Sequence, residues 1–232
     1  MTDSGVTDAT FILVHGAWHG GWAWDPITER LRDKARRVIA VDLPSVTQQL
    51  PSTATFADDV ACVTDAIERA GSNVILVGHS YGGMVITQAA AGRSDVNHLC
   101  FVTALVLDVG QSLAGEDDTR IPDWVDLTDD RLASKPRDPQ FQFYGDIAPE
   151  RAAALAAKLG WQSTAALRGP ITHTAWRELS SSYVLCTQDE AISFTAQTSM
   201  ARRTQQQFTL PSAHSPFLSQ PDALTEILLQ LS

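Results

Sequence analysis

Along this chain, short apolar runs rich in β-favouring residues alternate with stretches whose apolar positions recur at helical spacing. Phe11–His15, Arg37–Asp42, Asn73–Gly78, His98–Leu107, Ser182–Thr187 and Gln206–Leu210 read as strands. Between them, Phe56, Val60, Val63 and Ile67 fall three or four apart and predict one face of a helix. Tyr81–Ala91 predicts a helix of small residues suited to close packing on a sheet, and Ala223–Leu231 a closing amphipathic helix. Repeated βαβ units of this kind predict an α/β fold, a mostly parallel sheet with helices on both faces.

The pattern changes between Gln111 and Leu179. Charges and prolines accumulate there, as in Glu116-Asp117-Asp118 and Lys135-Pro136-Arg137-Asp138-Pro139. Only Pro149–Leu159 reads as helical, and no run looks like a strand. So long a stretch is too much for a simple connection in a compact domain. Its aromatics (Trp124, Phe141, Phe143, Tyr144, Trp161 and Trp176) argue against a flexible linker. The expected organisation is therefore a core of residues 1–110 and 180–232 with an inserted cap, 111–179, over the carboxyl ends of the strands.

Composition narrows the function classes. Of 232 residues, 44% are hydrophobic and 19% charged, ordinary values for a globular domain. A formal net charge of -10 argues against nucleic acid and anionic membrane surfaces as partners, because both need a basic face. No apolar run reaches the roughly 18 residues of a membrane span, and the polar Met1–Thr10 lacks the features of a secretory signal. Cys62, Cys100 and Cys186 are odd in number and widely spaced, which suggests buried free thiols and a cytoplasmic setting. No Cys or His pair has metal-ligand spacing. Oligomeric state is not legible, a homodimer being one option.

The sharpest chemical signal is Gly78-His79-Ser80-Tyr81-Gly82, placed between an apolar strand and a helix. A serine on so tight a turn needs small neighbours two residues away on either side, and its oxygen then projects clear of the sheet. Serine is a weak nucleophile until an oriented base takes its proton. When a strand, turn and helix carry the serine, the acid follows a late strand and the histidine lies just beyond the last one. His214, in Pro211-Ser212-Ala213-His214-Ser215-Pro216, occupies that place. For the acid, Asp189 follows the strand ending at Thr187, with Asp108 and Glu190 as competitors. The oxyanion donors are expected to be two backbone amides. One belongs to Tyr81, next after the nucleophile, and the other to Ala17, in the turn His15-Gly16-Ala17-Trp18.

Other residues invite roles. His79 reads as packing, and His15 as holding the oxyanion loop by hydrogen bonds. His173 reads as a surface histidine, and Trp22 and Trp24 as loop and core packing. Trp18, His15, Trp124 and Trp161 are the candidate pocket residues, Trp18 because it adjoins the oxyanion turn.

These segments resemble the α/β-hydrolase superfamily, and within it the plant methyl esterase and hydroxynitrile lyase group with its bacterial esterase relatives. The resemblance rests on His15-Gly16-Ala17-Trp18-His19-Gly20-Gly21-Trp22, Asp42-Leu43-Pro44, Gly78-His79-Ser80-Tyr81-Gly82-Gly83, Cys186-Thr187-Gln188-Asp189-Glu190 and Ala213-His214-Ser215-Pro216. It covers most of the chain, the cap least. It implies an eight-stranded, mostly parallel sheet with the first strand or two reduced, no cofactor, and hydrolysis of a small-molecule ester through an acyl-enzyme. Carried over, the nucleophile is Ser80, the acid Asp189, the base His214, and the oxyanion amides those of Ala17 and Tyr81. Hydroxynitrile lyases of this kind carry a lysine directly after the histidine, where this chain has Ser215. Relatives also carry a Gly-His-Gly turn after Asp-Leu-Pro, where this chain has Ser45-Val46-Thr47. The expected function is a serine carboxylesterase for small to medium esters. The alternatives are lyase or lactonase chemistry on the same triad, or a non-catalytic receptor or biosynthetic protein of this fold.

Overall fold

The computed structural model describes residues 9–49, 52–115 and 118–232. The polar N-terminus and the Glu116-Asp117 pair lie outside that range, apart from Ala9 and Thr10. Among the described residues there are ten strands. In chain order they are β1 (Thr10–Val14), β2 (Arg37–Ala40), β3 (Val46–Thr47), β4 (Val74–His79), β5 (Val96–Val102), β6 (Val125–Leu127), β7 (Ala133–Pro136), β8 (Trp161–Ser163), β9 (Ser180–Cys186) and β10 (Gln206–Leu210). The α-helices are α1 (Asp25–Asp33), α2 (Phe56–Ala70), α3 (Gly82–Ala89), α4 (Pro139–Tyr144), α5 (Pro149–Ala156), α6 (Thr164–Arg168), α7 (Phe194–Ala201), α8 (Pro216–Ser219) and α9 (Pro221–Leu229).

Six strands form the main sheet in the order β10-β9-β5-β4-β1-β2, and every neighbouring pair is parallel. β1 and β4 are buried at every position, which is why they read as unbroken apolar runs and why both faces need cover. Helices supply it: α1 packs on α9, and α2 on α3. α2 starts with a capping box in which the Thr55 side chain accepts from the Asp58 amide while Asp58 accepts from Thr55. Such a cap contributes about 1 kcal/mol. The apolar face of α2 buries Phe56, Val63, Ala66 and Ile67, close to the spacing read from the sequence.

Three expectations bear on the fold. The resemblance implied eight strands with the first one or two reduced; among the described residues the main sheet has six, beginning with β1 directly after Ala9. The run His98–Leu107 was read as one strand, but β5 ends at Val102, because Thr103 turns the backbone to φ +36°. The apolar pattern continues beyond it for a different reason: Ala104 and Val106 enter the core, and Leu105 and Leu107 wall a cavity.

The third concerns the stretch 111–179, read as free of strands. It contributes β6, β7 and β8 to a second, antiparallel sheet in the order β3-β8-β7-β6, with β3 reaching in from outside the stretch. Its strands are two to four residues long, too short for an alternating pattern to show. Val46–Thr47 is thus the strand through which this sheet reaches the main body.

Cys100 and Cys186 are buried free thiols; Cys62, on α2, is only half-buried and faces the carbonyl of Asp42. Among the described residues no helix is long and apolar enough to cross a membrane.

Candidate active site

The elbow follows from close backbone approach. Ser80 sits at φ +51°, a region that L-residues rarely adopt, between the end of β4 and the start of α3. A Cβ on Gly78 would lie 2.7 Å from the carbonyl oxygen of Gly82, and one on Gly82 would lie 2.7 Å from the carbonyl oxygens of Val14 and His15. Neither position admits a side chain, so the turn can form only with glycine at both. Across from the elbow, a Cβ on Gly16 would lie 2.8 Å from the Cβ of Ser80, which shows how tightly the turn after β1 is pressed against the serine.

His214 and Ser80 line the same cavity. The Nδ1–H of His214 donates to Oδ2 of Asp189 at 2.7 Å, leaving Nε2 as the nitrogen for the serine proton. Asp189 is itself held firmly. Thr103 Oγ1 and Gln197 Nε2 donate to Oδ2, and the amides of Ala191 and Ile192 donate to Oδ1 at 2.8 and 2.9 Å. Burial pushes the Asp189 carboxyl up, but His214 and the donors around it outweigh burial and hold it below the usual carboxylate range. The carboxylate is therefore ionised at neutral pH, as an orienting partner for His214 requires. The competitors sit elsewhere: Asp108 pairs with Arg177 and Arg203 at the surface, and Glu190 is exposed at the cavity edge.

The loop after β1 is fixed by two buried histidines. His15 donates from Nδ1 to the Gly16 carbonyl at 2.8 Å and accepts from the Leu43 amide at 3.0 Å through Nε2. His19 donates from Nδ1 to the Ala17 carbonyl at 2.9 Å and accepts from the Tyr144 hydroxyl, also at 2.9 Å. Burial drives the His19 pKa down to about 3, so the ring is neutral and can be acceptor and donor at once. A third, His79, donates from Nε2 to the carbonyl of His214 at 2.9 Å. Burial first, then the nearby His214 and His19 rings, pushes it well below the usual value. On the other side of the base, the Asp146 carboxylate accepts from the Ala213 amide at 3.0 Å. Neither the Ala17 nor the Tyr81 amide has a protein acceptor among the described residues, so both remain for a ligand.

The cavity holds about 500 Å³. Leu105, Leu107, Ala191 and Ile192 line it together with Trp18, Trp124 and Phe143. Trp18 lies 5.7 Å from Trp124 and 5.8 Å from Phe143 between ring centroids. Two of the four pocket candidates thus line the cavity, and two do not. Trp161 sits on β8 with Lys135 over its ring, because the antiparallel pairing with Thr47 turns it away. His15 is buried behind the loop, where its hydrogen bonds need it. His173 is an exposed neighbour of Gln88, outside the cavity.

Sequence reasoning missed Thr103 and Gln197 around Asp189, and Tyr144 and Asp146 from the stretch 111–179. Thr103 could have been suspected, since it ends the apolar run beside the acid's strand. The other three carry no local signal.

Residues 11–227 match the alpha/beta hydrolase family. The chain belongs to this family. The alpha/beta hydrolase nvfD of Aspergillus novofumigatus is 31% identical over 94% of each chain. A carbendazim hydrolyzing esterase of Nocardioides is 39% identical, over 45% of this chain and 46% of that one. Among solved structures, a pyrethroid hydrolase from Sphingobium faniae superposes with a TM-score of 0.79 at 24% identity, covering 97% of both chains. Plant methylesterases are further relatives. The chain is thus a hydrolase, and ester bonds are the bonds named for its relatives.

Proposed function

We propose that this hydrolase is a serine carboxylesterase that forms an acyl-enzyme on Ser80. The observation that carries the reading is the Asp189–His214 pair at 2.7 Å, set in one cavity with Ser80 and Ala17. His214 Nε2 takes the proton of Ser80 as Oγ bonds to the ester carbonyl carbon. The carbonyl oxygen becomes an oxyanion and accepts from the amides of Ala17 and Tyr81, each such donor contributing about 3 kcal/mol. When the tetrahedral species collapses, the bond to the alkoxy oxygen breaks and His214 returns its proton to the departing alcohol. Water then repeats the sequence, with His214 as base, and releases the acid and free Ser80.

The walls suit an apolar, small to medium ester. The names of the relatives, among them esterases and methylesterases, support the bond type and leave the substrate of this chain open. Ser215, fully buried where a lyase of this group carries lysine, offers no cation for a leaving cyanide.

The test is direct. Purified protein should hydrolyse short p-nitrophenyl esters and be labelled by a fluorophosphonate at Ser80. Ser80→Ala should abolish both and leave the circular dichroism unchanged. Labelling at another serine, or turnover that survives Ser80→Ala, would overturn the reading.

A further inference from the structure

Asp59, in the first turn of α2, is fully buried yet takes no part in the chemistry above. A carboxylate in such a place must be satisfied by donors. Its Oδ2 accepts from the Tyr81 hydroxyl at 2.7 Å and from the Ser45 hydroxyl at 2.6 Å; its Oδ1 accepts from the Ser45 amide at 3.0 Å. Ser45 Oγ accepts in turn from Gln162 Nε2 at 2.8 Å, and Gln162 Oε1 accepts from the backbone amide of Trp18 at 3.4 Å. The chain of bonds is buried throughout: Tyr81, Asp59, Ser45 and Gln162 are each fully buried, and Trp18 is 5% exposed.

Its two ends are the two sides of the oxyanion site. One end is the side chain of Tyr81, whose own amide is one donor. The other is the peptide directly after Ala17, whose amide is the second donor. Trp18 stands at φ +63°, a conformation that persists in a non-glycine residue only where its surroundings over-determine it. The second sheet supplies those surroundings. Besides the Gln162 contact, the Trp18 carbonyl accepts from the Gly160 amide at 2.8 Å, and its indole N–H donates to the carbonyl and hydroxyl of Ser134 at 3.1 and 3.2 Å.

We propose that Asp59, Ser45 and Gln162 are positioning residues: they link the Tyr81 side chain to the Trp18 backbone and so set the separation of the two oxyanion amides. The proposal rests on the reading of Ser80 as nucleophile. An oxyanion donor works only within a few tenths of an ångström of its place, and a shift of about 1 Å costs roughly a hundredfold in rate. Through these bonds Ser45 bridges α2 to β8.

Kinetics of Tyr81→Phe, Asp59→Asn and the double variant on a p-nitrophenyl ester test this, together with inhibition by a trifluoromethyl ketone whose adduct places an oxyanion in the same site. Tyr81→Phe removes one hydroxyl and keeps the amide. It should lower kcat about tenfold, change KM less than about twofold, and weaken inhibition by the same factor as kcat. Because Asp59 acts through Tyr81, the double variant should be no slower than the slower single. If Asp59→Asn does not fold, Tyr81→Phe and Gln162→Leu decide the matter by the same pattern. An active wild type whose Tyr81→Phe variant keeps full kcat and loses only thermal stability overturns the positioning role alone, as does a double variant showing the product of the two single losses. A wild type that neither turns over esters nor takes the label at Ser80 overturns the nucleophile reading and this proposal with it.

Discussion

The two sheets of this molecule divide the work unequally. The main sheet is parallel, with strands of four to seven residues; its central strands form the core, β1 and β4 being buried at every position, and its edge strands β2 and β10 are largely exposed or half-buried. The second is antiparallel, has strands of two to four residues, and is partly exposed. All three residues of the proposed triad follow strands of the main sheet: Ser80 after β4, Asp189 after β9, His214 after β10. The second sheet carries none of them. It instead holds Trp18, and the stretch around it adds Trp124 and Phe143 to the cavity wall. In the proposed esterase, the reacting groups follow strands of the main sheet, and the aromatic lining of the cavity draws on the stretch around the second one. The hydrogen bonds through Ser45 and Gln162 are where the two meet.

The comparison breaks first if the triad does not depend on the main sheet. Asp189→Asn should lower kcat/KM for a p-nitrophenyl ester by about 10⁴, because it upsets the tautomer of His214 while keeping its shape. A loss of less than tenfold would take the acid role from Asp189. Next in size is the contrast in packing. Leu76→Ala, at a fully buried position of β4, should destabilise the protein by about 3 kcal/mol in urea unfolding. Val125→Ala on β6 should cost no more than about 1 kcal/mol. Equal losses would show that the second sheet is as much core as the main one.

Selectivity sharpens the contrast further. Trp124→Ala should raise KM for an aromatic or bulky ester about tenfold and leave kcat for a small acetate ester near wild type. A fall in kcat for both esters would place Trp124 in the chemistry itself. The most gradual effect is a pH slope. His15, His19 and His79 are held by burial below their usual value of 6.5. The unfolded chain therefore binds more protons than the folded one as pH falls below that value. Stability present at pH 7 should decline steadily towards pH 4, read as a falling Tm. A flat Tm across that range would mean that the three rings are not buried neutral.

Much of the main sheet was legible in the sequence, because a strand buried on both faces must be apolar throughout. Phe11–His15 and Asn73–Gly78 were found to within a residue for that reason. The run His98–Leu107 misled for the same reason, since a cavity wall is as apolar as a strand. The second sheet was illegible: pairs as short as Val46–Thr47 with Trp161–Gln162 have no periodicity to show. That illegibility carried Trp161 into the pocket list, for an aromatic residue in a cap gives no sign of which face it will take.

What the sequence determined by itself is the local chemistry: a glycine-flanked serine between strand and helix, an acid after a late strand, and a histidine after the last. Backbone sterics dictate the glycines, and the need for a proton acceptor and its orienting partner dictates the histidine and the acid, so these residue types can be read without contacts. Only the tertiary structure decided which polar groups meet across the chain. Asp59 reaches Tyr81 across 22 residues, and Gln162 reaches Ser45 across 117. Such pairings arise because a buried donor or acceptor must find a partner wherever the packing provides one, and no local pattern records that requirement.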